Sequence, residues 1–259
     1  MTATAVLLHG FPQDGASWSS QCAALEAAGV RAVAPDQRGY TAANRPDGRG
    51  SYRMEALVDD ALGVIDATGE ARVHLVGHDW GGGVAWAVAA NHPDRLRSLT
   101  VVSTPHPGAM RRSMLGSQLL RSWYMVFFQL PWLPERLLLA GGAAALTRSL
   151  ERSGLPRAVA RRYAARMREP GALTAALNWY RALPLSSPGY AIGRITVPTL
   201  FVWSTGDVAL GRPAAERTGD WVDAPYRFEV LDGVSHWIPE TAPDRLNPLL
   251  VEQVTRFAG

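Results

Sequence analysis

Short apolar segments alternate with helical patterns along most of this chain, and this alternation limits the fold more than any other feature. Apolar segments of strand length lie at residues 5–8, 30–34, 73–76, 99–102, 199–203 and 226–231. Helical patterns follow at residues 18–28, 54–68, 82–91 and 243–257. This alternation is typical of a mostly parallel sheet with helices on both faces. With 259 residues, 47% of them hydrophobic, the chain can form one substantial α/β core.

The alternation stops between the fourth and fifth apolar segments. Residues 105–190 contain no convincing strand, and their helical patterns are separated by prolines and glycines. We therefore predict a first part of the core at residues 1–104, an inserted helical cap at 105–190 and a second part of the core at 191–259. Because ligands of open α/β sheets bind beyond the carboxyl ends of the strands, such a cap would cover a site there.

The pentapeptide Gly77-His78-Asp79-Trp80-Gly81 lies between the third apolar segment and a helical pattern. Small residues two positions before and after a central side chain indicate a sharp strand-to-helix turn with strained backbone geometry. The central carboxylate is ionised at neutral pH without help from a base. It can displace a leaving group at saturated carbon, so Asp79 indicates strained ethers or carbon–halogen bonds as substrates. The alternative interpretation of this pentapeptide is an ordinary glycine-rich connection from strand to helix, in which Asp79 is only an exposed polar residue.

An alkyl ester on Asp79 must be cleaved by water, which requires a base, a group that orients the base and donors for an oxyanion. His236 is the predicted base because it lies in a loop after the last strand segment. Asp207 is the predicted orienting acid because it follows the strand segment at 199–203. The alternatives are Asp220, Asp223 and Asp232. The predicted oxyanion donors are the backbone N–H groups of Phe11 and Trp80. Four other histidines are predicted to be structural: His9, His78, His92 and His106.

Together these residues resemble the epoxide hydrolases of the α/β-hydrolase fold superfamily. The matching positions are His9-Gly10-Phe11-Pro12, the Asp79 pentapeptide, Asp207 and His236-Trp237. Two cap segments resemble the family's lid-tyrosine motifs: Trp123-Tyr124-Met125-Val126-Phe127-Phe128-Gln129 and Asn178-Trp179-Tyr180-Arg181. The resemblance implies that Tyr124 and Tyr180 donate hydrogen bonds to the epoxide oxygen. A phenol, with a pKa near 10, is a better matched acid than water for a basic alkoxide.

The resemblance implies an enzyme without cofactor or metal that converts a small apolar epoxide to a vicinal diol. The catalytic residues are then Asp79, Asp207, His236, Tyr124 and Tyr180, and the expected substrate contacts are Phe11, Trp80, Trp179 and Trp237. One alternative is a haloalkane or haloacid dehalogenase with the same nucleophile, although Phe11 stands where many haloalkane dehalogenases use Asn. Another is a non-catalytic binding protein of the same fold.

Charge and cysteine content limit the partners and the location that we expect. The net charge is +3 and all 26 basic residues are arginines, many of them along helical stretches, so we expect a solvated face and no nucleic-acid partner. The single Cys22 and the lack of a basic-then-apolar leader favour the cytoplasm. No segment has the roughly 20 apolar residues that would span a membrane.

The resemblance also implies an antiparallel strand pair ahead of the His9 motif, but few residues precede that motif here. We therefore expect this strand pair to be missing and the strand at residues 30–34 to form an open edge. Because proteins usually cover such edges, a homodimer is a further expectation.

Overall fold

The computed structural model describes residues 3–113, 123–190 and 192–258. Within these ranges six strands form one sheet, and every neighbouring pair is parallel. The strands are β1 (Thr4–Leu8), β2 (Arg31–Val33), β3 (Val73–His78), β4 (Leu96–Val102), β5 (Thr199–Gly206) and β6 (Tyr226–Ser235). Their order in the sheet is β2-β1-β3-β4-β5-β6. The predicted α/β architecture is confirmed, and each of the six apolar segments forms a strand.

Helices cover both faces of this sheet. The core helices are α1 (Ser19–Ala27), α2 (Met54–Ala67), α3 (Trp80–Asn91), α9 (Arg212–Glu216), α10 (Ile238–Thr241) and α11 (Pro243–Arg256). Side chains of α2 and α3 pack on one face, and those of α1 and α11 pack on the other. Because strand side chains alternate between faces, Val6 and Leu8 of β1 join the first cluster while Ala5 and Leu7 join the second.

The described residues between β4 and β5 form helices and no strand. These helices are α4 (Pro107–Ser113), α5 (Trp123–Phe128), α6 (Leu133–Arg152), α7 (Arg157–Arg166) and α8 (Ala172–Ala182). Helix α6 is broken at residues 140–143, where Gly141, Gly142 and Ala143 have positive φ angles. The predicted helical insertion is therefore present, although residues 114–122 lie outside the described ranges. Its limits at residues 105 and 190 remain predictions.

An arginine of the cap holds α7 against loops of the core. The Arg166 guanidinium contacts Asp14 at 2.8 Å and Asp36 at 2.6 Å, and it donates to the Tyr40 carbonyl at 2.6 Å. Hydrogen bonds with charged partners of this kind are stronger than neutral ones. The contacts fix one side of the cap over the carboxyl edge of the sheet.

Strand β2 is one edge of the sheet, and within the described ranges it pairs with β1 alone. It contains three residues, so the open edge is short, which is one way in which proteins limit edge-to-edge pairing. The homodimer that would cover it remains a prediction. No helix among the described residues combines the length and the apolar character needed to cross a bilayer.

Candidate active site

Asp79 lies at the turn between β3 and α3 in strained backbone geometry. Its φ and ψ angles are 49° and −119°, and a positive φ is uncommon for a residue other than glycine. The carboxylate precedes the N-terminus of α3, where unpaired N–H groups and the helix dipole favour negative charge. The turn thus has the geometry predicted for an elbow that exposes its central side chain.

Three neighbouring glycines make room for this turn. A Cβ atom on Gly77 would lie 2.3 Å from the carbonyl oxygen of Gly81, and one on Gly81 would lie 2.1 Å from the carbonyl oxygen of Leu8. A Cβ atom on Gly10 would lie 2.3 Å from the Cβ of Asp79. For Gly77 and Gly81 the nearest atoms belong to the backbone, and for Gly10 the nearest atom is a Cβ, which is attached directly to the backbone. None of these atoms can move aside by a side-chain rotation. The elbow therefore requires glycine at these positions.

Replacing Gly81 with Ala is expected to lower the free energy of unfolding by at least about 2 kcal/mol, because the added methyl group meets backbone atoms. Gly83→Ala, two residues later in α3, is the matched control. A Cβ there meets no atom within 4 Å, and alanine favours helix by about 0.5–1 kcal/mol over glycine. Urea unfolding of both variants measures the difference, and equal stabilities would contradict this reading of the elbow.

His236 follows β6 and lies between two carboxylates. Its Nδ1 is 2.7 Å from Oδ2 of Asp207, and its Nε2 is 3.6 Å from Oδ2 of Asp79. Asp207 follows β5, and its Oδ1 accepts the backbone N–H groups of Ala209 and Leu210, each at 2.8 Å. Because β5 and β6 are neighbouring parallel strands, their carboxyl ends bring the acid and the histidine together. The structure thus places the imidazole of His236 in contact with the carboxylates of both Asp79 and Asp207.

The alternative acids contact other groups. Asp223 pairs with Arg194, and Oδ1 of Asp232 accepts the hydroxyl of Thr205 at 2.8 Å. The carbonyl of Asp220 accepts from Arg194. Of the four candidates, Asp207 is the one in contact with His236.

The two carboxylates change the protonation of His236. Burial by itself lowers the pKa of this imidazole, but the negative charge and hydrogen bond of Asp207, together with those of Asp79, raise it to about 10. Burial by itself raises the pKa of Asp79, yet contact with His236 and the N–H of Phe11 holds it below its usual value. At neutral pH the resting site therefore contains an imidazolium ion between two carboxylates.

The free energy of unfolding is expected to fall as pH rises, because folded His236 holds its proton more tightly than unfolded His236. The contribution is complete below pH 6.5, the ordinary pKa, and is lost as pH rises through about 10. Asp79→Asn removes one of the charges that raise this pKa, so its pH-dependent loss of stability should be smaller and should end at lower pH. Denaturant unfolding of both proteins across this range checks the shift, and coincident pH profiles would contradict it.

One of the two predicted oxyanion donors contacts the carboxylate of Asp79, and the other is the N–H of the next residue in the chain. The N–H of Phe11 donates to its Oδ1 at 2.8 Å. Trp80 is the first residue of α3, and the first N–H groups of a helix have no partner within the helix. This arrangement suits donors that stabilise negative charge on an oxygen of Asp79.

Tyr124 of α5 and Tyr180 of α8 lie near each other over Asp79, with ring centroids 6.1 Å apart. Phe128 packs against both rings, at 5.7 Å from Tyr124 and 5.0 Å from Tyr180. Burial and the charge of Asp79 raise the pKa of both phenols above their usual value. The two phenols therefore remain protonated and able to donate over the physiological pH range.

Two cavities meet at Asp79, Tyr124 and Tyr180. A cavity of about 440 Å³, here called the histidine cavity, is also lined by His236 and Trp237. A second cavity of about 320 Å³, here called the methionine cavity, is mainly apolar and is also lined by Met54, Met110 and Met125. The carboxylate and both phenols thus face the junction of two spaces that together can hold a small molecule.

Known proteins resemble this chain over most of its length. The model of the alpha/beta hydrolase fold family matches residues 5–243. The AB hydrolase superfamily protein YfhM of Bacillus subtilis (strain 168) is 38% identical, covering 95% of this chain and 88% of that protein. Epoxide hydrolase 4 of Homo sapiens is 33% identical, covering 95% of this chain and 70% of that protein. The crystal structure of epoxide hydrolase A from Mycobacterium thermoresistibile superposes with a TM-score of 0.83 at 27% identity, covering 98% of this chain and 91% of that one.

This chain belongs to the epoxide hydrolases of the α/β-hydrolase fold. Fold and relatives agree, because the family model, the similar sequences and the superposed structure all extend across core and cap. The family resemblance inferred from the sequence motifs is confirmed.

Trp179 was expected to contact the substrate, but in this epoxide hydrolase it lies outside both cavities. Phe11, Trp80 and Trp237 each line one of the two cavities, whereas Trp179 lines neither. Its indole N–H donates to the carbonyl of Arg38, and its ring packs against Trp80 at 5.7 Å. Adjacent residues on a helix point about 100° apart, so α8 directs Tyr180 toward Asp79 and Trp179 away from the cavities.

Two cap residues hold the tyrosine-bearing helices together. Arg181 donates to the carbonyls of Phe128 and Leu130 and pairs with Glu135 at 2.6 Å. Gln129 donates to the carbonyl of Tyr180 at 2.8 Å. Both residues are part of the two lid-tyrosine segments, but the sequence did not indicate what they contact. They fix the end of α5 against α8, and so fix the spacing of the two phenols.

A buried chain of hydrogen bonds behind His236 was not predicted. Tyr163 of the cap donates to Glu240 at 2.5 Å, and Gln13 donates to both oxygens of Glu240 at 2.9 Å. The Oε1 of Gln13 lies 2.8 Å from Nδ1 of His78, whose Nε2 lies 3.0 Å from the carbonyl oxygen of His236. This series of hydrogen bonds connects α7 to the backbone of His236. Burial raises the pKa of Glu240.

Three of the histidines predicted to be structural are buried, and each has a ring nitrogen within hydrogen-bond distance of a backbone carbonyl oxygen: His9, His78 and His106. No three metal-binding side chains cluster in the ranges that the structure describes.

Proposed function

We propose that this chain hydrolyses an epoxide to a vicinal diol through an alkyl ester formed on Asp79. One observation carries the proposal: the junction of the two cavities is lined by one carboxylate and two phenols together. A nucleophile on one side of a three-membered ring and acids on the other are what ring opening by backside displacement requires.

In the first step a carboxylate oxygen of Asp79 attacks one epoxide carbon. The bond between this carbon and the epoxide oxygen breaks, and the oxygen takes a proton from Tyr124 or Tyr180 while the other phenol donates a hydrogen bond. The strong desolvation of both phenols favours their neutral form, so a donor is present whenever substrate binds. The product of this step is a hydroxyalkyl ester of Asp79.

In the second step His236 accepts a proton from water, and the oxygen of that water attacks the ester carbonyl. Ester formation removes the charge of Asp79, which is one of the causes that raise the pKa of His236. The imidazolium therefore becomes more acidic once the ester exists, and its proton passes to the phenolate left by the first step, which restores the phenol and leaves a neutral base for the water. The N–H groups of Phe11 and Trp80 stabilise the oxyanion. When it collapses, the bond to the alkoxide oxygen breaks and that oxygen takes the proton of the newly added hydroxyl, which releases the diol and restores the Asp79 carboxylate beside the imidazolium.

Because two cavities meet at Asp79 and the two phenols, the site suits a substrate with two substituents on its epoxide ring. The methionine cavity suits an apolar substituent, since methionine side chains adapt to varied shapes. The histidine cavity receives the other substituent, beside His236 and Trp237. Water reaches the ester from the same side.

Replacing either lid tyrosine with Phe is expected to slow ester formation about 10- to 100-fold, and replacing both about 1,000-fold or more. One remaining phenol still protonates the alkoxide, so the single variants retain part of the rate. Stopped-flow kinetics under single-turnover conditions measure this step separately from hydrolysis. Tyr226→Phe changes a half-buried tyrosine outside both cavities and is the control. A double variant with nearly full rate would contradict the proposed role.

The dehalogenase alternative predicts a different response to substrates. Release of halide from bromoalkanes, followed with a halide electrode, needs no phenolic acid because halide is a weak base. Halide release without turnover of any internal epoxide would favour that alternative. Diol formation without halide release is the result expected here. A non-catalytic protein would form no ester on Asp79 with either substrate.

A further inference from the structure

A groove of about 560 Å³ lies between α6 and α7, and among the described residues it shares no lining side chain with the two cavities at Asp79. The residues of α6 that line the groove are Ala144, Thr147, Arg148 and Glu151. Those that line the histidine cavity are Ser149, Leu150, Arg152 and Ser153. Successive residues of an α-helix are rotated by about 100°, so the two sets point to opposite sides of α6. The groove therefore lies on the outer face of the cap, behind the wall of the histidine cavity.

Four exposed arginines line this groove, here called the arginine groove: Arg148, Arg157, Arg161 and Arg168. Among the described residues that line it, Glu151 is the one acid. Four positive charges and one negative charge leave three net positive charges, and the formal net charge of the whole chain is also +3. The positive charge that the chain has in excess is thus equal to the charge of this groove.

The arginines reach the groove from both of its walls. Arg157 and Arg161 are one turn apart on α7, about 6 Å along its axis, and residues four apart share a face of a helix. Arg168 follows two residues after the end of α7, and Arg148 lies on α6. Alanines of both helices line the groove between these arginines. A ligand between α6 and α7 can therefore contact guanidinium groups on two sides.

Within the part of the chain that the structure describes, three of the four guanidinium groups have no carboxylate within 4.0 Å. The fourth, on Arg157, contacts Glu151 at 3.4 Å. On a solvated helix face, arginines often pair with acids three or four residues away, as Arg212 does with Glu216 at 2.8 Å. The arginine groove instead collects like charges that are not neutralised, and a concave site of one charge concentrates ions of the opposite charge.

We propose that the arginine groove binds a diphosphate group carried by a small molecule. The planar guanidinium group matches the oxygens of a phosphate, with which it forms two parallel hydrogen bonds. A phosphate group carries about 1.5 to 2 negative charges at pH 7, so two linked phosphates come close to neutralising the three net positive charges. No aromatic side chain lines the groove in the described ranges, so it recognises the phosphates and not a stacked base. This site lies outside the proposed active site and does not depend on epoxide hydrolysis.

An ordinary solvated surface makes a different prediction. Scattered exposed arginines attract every anion according to its charge, and each exposed arginine of the cap would then contribute to a similar degree. A specific site discriminates between anions of different geometry, and its own arginines contribute more than others nearby. A comparison of anions and of variants therefore separates the two.

Isothermal titration calorimetry with sodium pyrophosphate, at low and constant ionic strength, tests the proposal. We expect one site with a Kd of about 10–100 μM, at least about tenfold tighter than for sulfate. Arg148→Gln and Arg161→Gln change opposite walls of the groove, and each should weaken binding about fivefold, with the double variant weakened about 25-fold. Arg136→Gln is the matched control, because Arg136 is exposed on α6 but does not line the groove. Its Kd should stay within about twofold of the original.

Two kinds of result would overturn the proposal. Equal affinity for pyrophosphate and sulfate, or equal weakening in Arg136→Gln, would mean that the attraction is unspecific. Full binding by the double variant would place the site elsewhere. Vesicles that carry a lipid diphosphate then distinguish two sources of the ligand. Cosedimentation that is lost in the double variant would support the proposal with a membrane lipid as ligand, and binding of pyrophosphate without cosedimentation would support it with a soluble molecule.

Discussion

Asp79→Asn is expected to lower diol formation by at least about 10⁴-fold, because the amide cannot attack the epoxide carbon. Asn has the shape of Asp and tolerates positive φ angles better than most residues, so the strained turn should persist. The rate of diol release from an internal epoxide is the measurement. Binding of the epoxide should be retained, because the amide leaves both cavities nearly unchanged.

Asp232→Asn is the control for this loss. Asp232 is exposed in β6 and hydrogen-bonded to Thr205, outside both cavities. Its replacement should leave the rate of diol release within about twofold of the original, since surface changes of this kind have small effects. Turnover by Asp79→Asn above about 1% of the original rate would mean that a different group attacks the epoxide.

His236→Gln is expected to trap the ester, because ring opening requires the Asp79 carboxylate whereas cleavage of the ester requires a base. Steady-state diol release should fall about 10²- to 10⁴-fold, which is the usual contribution of a general base. The protein should then gain the mass of one substrate molecule soon after mixing. Intact-protein mass spectrometry measures this gain, and peptide mapping locates it on the segment that contains Asp79.

Two controls make this result specific. His92→Gln changes a histidine outside the site, so it should show normal turnover and no lasting mass gain. The double variant with Asp79→Asn and His236→Gln should gain no mass at all. A stable adduct on any other residue would contradict the assignment of the nucleophile.

Much of the fold could be predicted from the sequence because strands and helices have different hydrophobic periods. Each of the six apolar segments forms a strand, but the ends differ. Strands β5 and β6 continue to Gly206 and Ser235, beyond the apolar residues that marked them. Their hydrogen-bonded ladder extends into polar residues, which carry no hydrophobic signal.

The elbow and its partners could be predicted for different reasons. Asp79 is recognisable from its glycines, since the turn leaves no space for a Cβ at those positions. The distance between His236 and Asp207 follows from the parallel order of β5 and β6. The pairing of Tyr124 with Tyr180 was predicted from the family resemblance, because no pattern in the sequence indicates that α5 and α8 are in contact.

What could not be predicted depends on side-chain direction and distant polar contacts. Trp179 and Tyr180 are adjacent, so only the rotation of α8 decides which of them faces Asp79. The contact between Gln13 and Glu240 joins residues 227 positions apart. Neither residue has a local pattern that marks it as buried and paired, so three-dimensional packing alone reveals the connection from cap to His236.

The origin of the new oxygen in the diol tests the central claim most directly. A single turnover is run with enzyme in excess over an internal epoxide in heavy-oxygen water, and both diol and peptides are analysed by mass spectrometry. If Asp79 attacks the epoxide, the first diol contains only ordinary oxygen, and the heavy oxygen appears in the Asp79 carboxylate. Heavy oxygen in the first diol, with none in Asp79, would mean that water attacks the ring directly and would contradict the account.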